Sequence, residues 1–209
     1  MPDQPPNSRK PLRSLLATGV IAVSLSGVAL LLHWMGWVHL GFAAMICLPL
    51  TVVIIAVCLA VARPEHRRIV AQRLFAGLFA GFMGLIAYDV IRWLLVETGL
   101  IPANPFRVID VFGLLILQTD IDTALTKAVG WGFHVWNGLT FAMMFTLAFG
   151  RGRILWAVIW SLILEIAMLA SYPSMFHIVM GWPFVSISLI GHLAFGLAVG
   201  WTAQGAVKE

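Results

Sequence analysis

A polytopic α-helical membrane protein is the fold that three properties of this sequence predict: its apolar excess, its scarcity of charge, and the lengths over which both persist. Hydrophobic residues make up 61% of the 209-residue chain and charged residues only 11%, with a mean hydropathy of +0.96. Soluble domains sit at roughly 45–50% apolar and about 25% charged. A water-soluble core does not hide this much apolar surface, so the bilayer is the implied solvent. In hydrocarbon every backbone polar group must find its partner within the chain, which helices achieve segment by segment.

About 20 apolar residues cross a hydrocarbon core about 30 Å thick. Six such runs are legible, at about 14–35, 40–62, 74–96, 128–149, 153–172 and 184–203, forming one transmembrane domain over 14–203. The first follows Arg9, Lys10 and Arg13 and ends in "HWMGW" without a small-residue cleavage site, so it predicts an uncleaved helix rather than a signal peptide. The proline-rich "MPDQPPNSRKP" before it predicts a disordered tail over residues 1–13, with a second short tail at 204–209. Cys47 and Cys58 share the second run. Eleven helical residues hold them roughly 16 Å apart, too far for a disulfide.

The third and sixth runs carry Gly77, Gly81 and Gly84, and Gly196 and Gly200, at helical spacing. Small residues let helices approach closely in lipid. These glycine faces are expected to pack a homodimer or to seat the chain in a larger membrane complex.

Two connections carry unusual content. Within 97–127, the ten apolar residues from Val108 to Leu117 are too few to span, which predicts a re-entrant or interfacial segment. Pro102 and Pro105 break any helix continuing into it. The stretch "SYPSMFHIVMGWPF" at 171–184 predicts an aromatic-rich interfacial loop. Its Met175, His177 and Met180, with Met168 nearby, also form a set that soft metals such as copper favour.

Orientation follows the lysine and arginine bias. Arg9, Lys10, Arg13, Arg63, Arg67, Arg68, Arg73, Arg151, Arg153 and Lys208 all fall on one side of six spans, while only Arg107 and Lys127 fall on the other. Both termini are therefore expected in the cytoplasm. The net charge of +4 reflects this topology, and no nucleic-acid partner is expected.

Ionisable residues inside spans are costly and usually face the bundle interior or a wet cavity. Asp89 and Arg92 lie in the third span, His134 and Asn137 share a face of the fourth, Glu165 lies in the fifth and His192 in the sixth. A rise of about 1.5 Å per residue puts the two acids and two histidines roughly 8–12 Å below the outer surface. One slab holding four such groups predicts a shared ligand- or ion-binding site. Each also has a plainer reading: Asp89 and Arg92 as a neutralising pair, the histidines as hydrogen-bonded packing residues. Glu165 has no cation within a helical turn, so it is protonated, paired across helices, or hydrated.

"GWGFHVWNG" at 130–138, "GHLAFG" at 191–196 and the intramembrane Asp89 together resemble a group of small bacterial polytopic inner-membrane proteins of unassigned function. That resemblance covers about residues 74–203 and implies an inner-membrane location and a joint role for Asp89, His134 and His192. It implies no substrate. The last helix also looks like that of rhomboid proteases, but the chain has no GxSG nucleophile turn.

Three functions fit these residues. The first is binding or transport of a small ion, proton or solute from outside. The second is a structural or accessory subunit of a membrane complex. The third is a metal-dependent intramembrane enzyme, with zinc or iron held by His134, Glu165 and His192.

Overall fold

A computed structural model describes residues 6–176 and 181–207, with side chains from Lys10 onward. Regular structure among the described residues is helical throughout, as α1 (Pro6–Val23), α2 (Leu25–Trp34), α3 (Leu40–Val61), α4 (Pro64–Glu97), α5 (Arg107–Leu117), α6 (Ala124–Phe149), α7 (Ile154–Phe176) and α8 (Trp182–Ala206). Length and composition qualify α3, α4, α7 and α8 to cross a membrane, and the bent pair α1–α2 as a fifth if counted as one span. Helix α6 is 26 residues long but less apolar, because it buries Asn137, Thr140 and Thr146 and carries His134.

Three segments differ from the sequence expectation. Residues 6–13, expected to be disordered, belong to α1, while the rest of that tail lies outside the described residues. Pro6 stands at the first helical position, where proline is tolerated, and arginine and lysine sustain the helix, which carries Pro11 in its interior. The first span is bent by 45° between α1 and α2. Ser24 Oγ donates to the Ile21 carbonyl at 2.8 Å, and Thr51 of α3 donates to the Ala22 carbonyl at 3.0 Å. Hydroxyls that take up carbonyls of the helical ladder bend helices in this way. Finally, α7 runs through Pro173 to Phe176, so the start of the expected interfacial loop is helical. Residues 177–180 lie outside the described residues, and with them His177 and Met180 of the soft-metal set.

Glycine decides which helices touch. A Cβ on Gly81 would stand 2.9 Å from Leu139 Cα, and one on Gly77 would stand 2.6 Å from Met143 Cα. Further along, Gly138 faces Leu85, and His134 meets Asp89. Positions 77, 81, 85 and 89 going up α4 meet positions 143, 139, 138 and 134 going down α6, so the two lie antiparallel over several turns. On its other side α4 meets α8, where Gly84 faces Phe195 and Val199, and Gly191 faces Tyr88 and Arg92. Gly196 and Gly200 then seat α8 on Val158 and Ile154 of α7, each at 2.8 Å from a built Cβ. All five glycines expected to form a dimer face therefore serve contacts within the chain. They are buried where they stand, so any contact with another chain uses other surfaces.

Between α2 and α6, the hydroxyls of Ser26 and Thr140 lie 2.7 Å apart with both residues buried. Thr140→Val is expected to lower stability by about 0.6–1.7 kcal/mol, the range of interhelical hydrogen bonds in membranes. Thermal unfolding in detergent checks this. The Ser26→Ala/Thr140→Val pair should be no worse than the more damaging single change, because the two residues share one bond.

Candidate functional site

Four helices bring their polar residues to one level of the bundle, near the end where α4 leads into α5 and α7 leads into α8. The antiparallel registers above produce this. The last third of α4 faces the first half of α6 and of α8, and the first half of α8 faces the middle of α7.

Asp89 and His134 join α4 to α6, with His134 Nε2 at 3.1 Å from Asp89 Oδ2. Arg92, one turn after Asp89, places Nη1 at 3.6 Å from Asp89 Oδ1. The guanidinium also lies over two rings, 4.5 Å from the centre of Tyr88 and 5.7 Å from that of Phe106. Arg92 is buried at 5% exposure, so its charge is held by the carboxylate and these ring faces rather than by bulk water.

A second pair joins α7 to α8. His192 Nδ1 lies 2.9 Å from Glu165 Oε2 and 3.0 Å from the Ser188 carbonyl oxygen. A backbone carbonyl only accepts, so Nδ1 carries the hydrogen and the second ring nitrogen, Nε2, is left for other contacts. The Ser188 hydroxyl donates to the same Glu165 oxygen at 3.0 Å. Glu165 has no exposure at all, and Ser161 on its helix donates to the His192 carbonyl at 2.6 Å. Tyr88 stands between the two pairs, its ring centre 5.8 Å from that of His134 and 4.9 Å from that of His192.

These groups surround one cavity of about 70 Å³. Tyr88, Arg92, His134, Asn137, Ser188 and His192 supply its polar wall, while Asp89 and Glu165 stand behind the imidazoles they hold. Asn104, Pro105 and α5 residues Val108, Ile109 and Phe112 line it as well. Phe112 makes edge-to-face contacts with Phe133, Tyr172 and Phe176, which fastens α5 over this end. Asp89 Oδ1, Arg92 Nε, Asn137 Oδ1 and Glu165 Oε1 are buried without a hydrogen-bond partner among the described residues, although Asp89 Oδ1 has Arg92 at ion-pair distance.

All six residues expected at the site are thus gathered, in two pairs with Arg92 and Asn137 beside them. The metal set is not. Zinc or iron would need His134, Glu165 and His192 on one ion, whereas each imidazole has its own carboxylate. Among the described residues no three His, Cys, Asp or Glu side chains are placed to hold an ion together. Sequence reasoning did not foresee Phe106 and Phe112. Only the apolar run at 108–117 pointed to that segment, and nothing in it singled out these two rings.

Fold and site together define a helical bundle, with helices long and apolar enough to cross a membrane, built around a small, largely apolar cavity with polar groups on part of its wall. The chain matches no protein-family model, no curated protein and no solved structure.

Proposed function

We propose that this chain is a multi-pass inner-membrane protein that binds and moves a small ion, proton or solute through a cavity near the extracytoplasmic face. Six crossings put the arginine- and lysine-rich connections and both termini on the cytoplasmic side. Counting α6 as a crossing is supported by its antiparallel packing along α4 from Gly77 to Asp89. The site then lies in the outer half, beneath α5.

One observation carries the reading: two carboxylate–imidazole pairs from four helices stand at a single cavity around Tyr88. The cavity's size selects the ligand class. A water needs about 10–15 Å³ by this measure and an apolar cavity of about 150 Å³ takes benzene, so 70 Å³ suits a few waters or a solute of few atoms. The unpartnered Asn137 Oδ1 and Arg92 Nε favour binding over a purely structural cluster, because buried polar atoms that only support a fold are normally satisfied. The resemblance that groups Asp89, His134 and His192 agrees with a joint role for them.

Ser188→Cys, in a chain with Cys47 and Cys58 replaced by alanine, tests this reading. In right-side-out vesicles it should react with a membrane-impermeant methanethiosulfonate, and in inside-out vesicles it should not. Equal reaction from both sides, or none from outside, overturns the outward-facing cavity.

A further inference from the structure

The two imidazole–carboxylate pairs look alike but differ in charge. Asp89 has a resident cation, because Arg92 Nη1 lies 3.6 Å from it. With His134 neutral and donating through Nε2, that cluster is already balanced. Among the described residues Glu165 has no such companion: its contacts are the Ser188 hydroxyl and His192 Nδ1, and its Oε1 meets no donor. With both imidazoles neutral, the two carboxylates and one guanidinium leave the site one negative charge in excess, and that charge sits on a fully buried side chain. An uncompensated buried charge is strongly unfavourable. The site therefore calls for one cation, at Glu165.

We propose that this cation is a proton, taken from cavity water by His192 Nε2, so that the Glu165–His192 pair is the loading site and the Asp89–Arg92–His134 cluster is its fixed counterpart. The proton adds to the ring lone pair. Nδ1 keeps its hydrogen on the Ser188 carbonyl, 2.9 Å from Glu165 Oε2, and the pair passes from one negative charge to neutral. No other bond changes.

The surroundings select against other ions. The titratable groups facing His192 are Tyr88 and Arg92 of α4, His134 of α6, and Glu165 and Tyr172 of α7, while α5 adds only apolar walls. A hard metal cation needs a shell of oxygens. Here it would meet the Arg92 guanidinium and ring nitrogens beside the uncharged oxygens of Tyr88, Asn137 and Ser188, with the free Glu165 oxygen behind the imidazole. A small anion would enter a site already negative by one charge, and would be admitted only with added protons. The proton alone fits the charge, the ring nitrogen and the space.

This inference rests on the cavity being open to water from outside, and its test is separable from that reading. Proton uptake by the purified chain in detergent is counted with an indicator dye between mildly alkaline and mildly acidic pH. Glu165→Gln preserves shape and the acceptor for Ser188, and it should take up one proton fewer per chain than the unmodified protein. In the unmodified protein, nitrogen-15 resonances should show His192 Nε2 gaining the proton while His134 keeps one tautomer, which needs no substitution to fold. Sodium added at constant pH should release no proton. An equal proton count in Glu165→Gln, titration of His134 in place of His192, or proton release in proportion to sodium would each overturn the assignment. If the proton count is unchanged while Ser188→Cys still labels from outside, the outward cavity stands and the proton site falls.

Discussion

Arg92→Leu is expected to lower the unfolding free energy by about 3–5 kcal/mol, the usual effect of stripping one partner from a buried ion pair. The guanidinium is the only cation within reach of Asp89 among the described residues, and the side chains of the two are 6% and 20% exposed. Removing it leaves a carboxylate held by the His134 ring alone, and it empties the space above Tyr88 and Phe106. The loss should come mainly from the uncompensated charge rather than from missing contacts. Asp89→Asn/Arg92→Leu, which removes both charges, should therefore recover most of the stability. Arg92→Lys should fall between, because an ammonium offers the charge without the flat face that stacks on rings. Chemical unfolding of the four proteins in one detergent decides the matter. If the double substitution is as unstable as Arg92→Leu alone, the pair is not what holds this corner of the bundle.

The level of the site was legible because depth in a membrane can be counted in residues. Where helices run antiparallel, a rise of about 1.5 Å per residue turns a sequence position into a height. That placed Asp89, His134, Glu165 and His192 in one slab before any contact was known. Glu165 also announced a partner on another helix, since its own turn offers no cation. The pairing itself was not legible. Periodicity says which face a residue occupies but not which helix that face meets, and so a joint metal site for His134, Glu165 and His192 was a fair expectation. The glycines show the same limit. Their spacing revealed close packing, and nothing in the spacing distinguishes a neighbour within the chain from a second copy. The bend at Ser24 was hidden for a different reason: it has neither proline nor glycine, and one of the hydroxyls that make it, that of Thr51, comes from α3.

Gly113→Val should detach α5 and expose the cavity. At this crossing backbone meets backbone: a Cβ on Gly113 would fall on the Thr126 carbonyl oxygen, and one on Gly130 would fall on the Ile109 carbonyl oxygen. Overpacking within a core typically costs about 1–3 kcal/mol because side chains rearrange to absorb it. A main-chain carbonyl in the first turn of α6 has no such freedom, since the capping box of Thr123 and Thr126 holds that turn. The strain is relieved most readily by moving α5, an 11-residue element held otherwise by the aromatic contacts of Phe112 and by the close approach of Ile116 to Gly41 of α3. Val108, Ile109 and Phe112 would leave the cavity with it, and they form its wall on that side. The reaction of Ser188→Cys with external thiol reagent should then accelerate at least about tenfold, a factor that corresponds to roughly 1.4 kcal/mol in the opening equilibrium. Gly132→Ala on the same helix is the control, because a Cβ there meets nothing within 4 Å, and it should leave the labelling rate unchanged. Equal rates with and without Gly113→Val would mean that α5 does not govern entry to the site, and the route would have to be sought between α7 and α8.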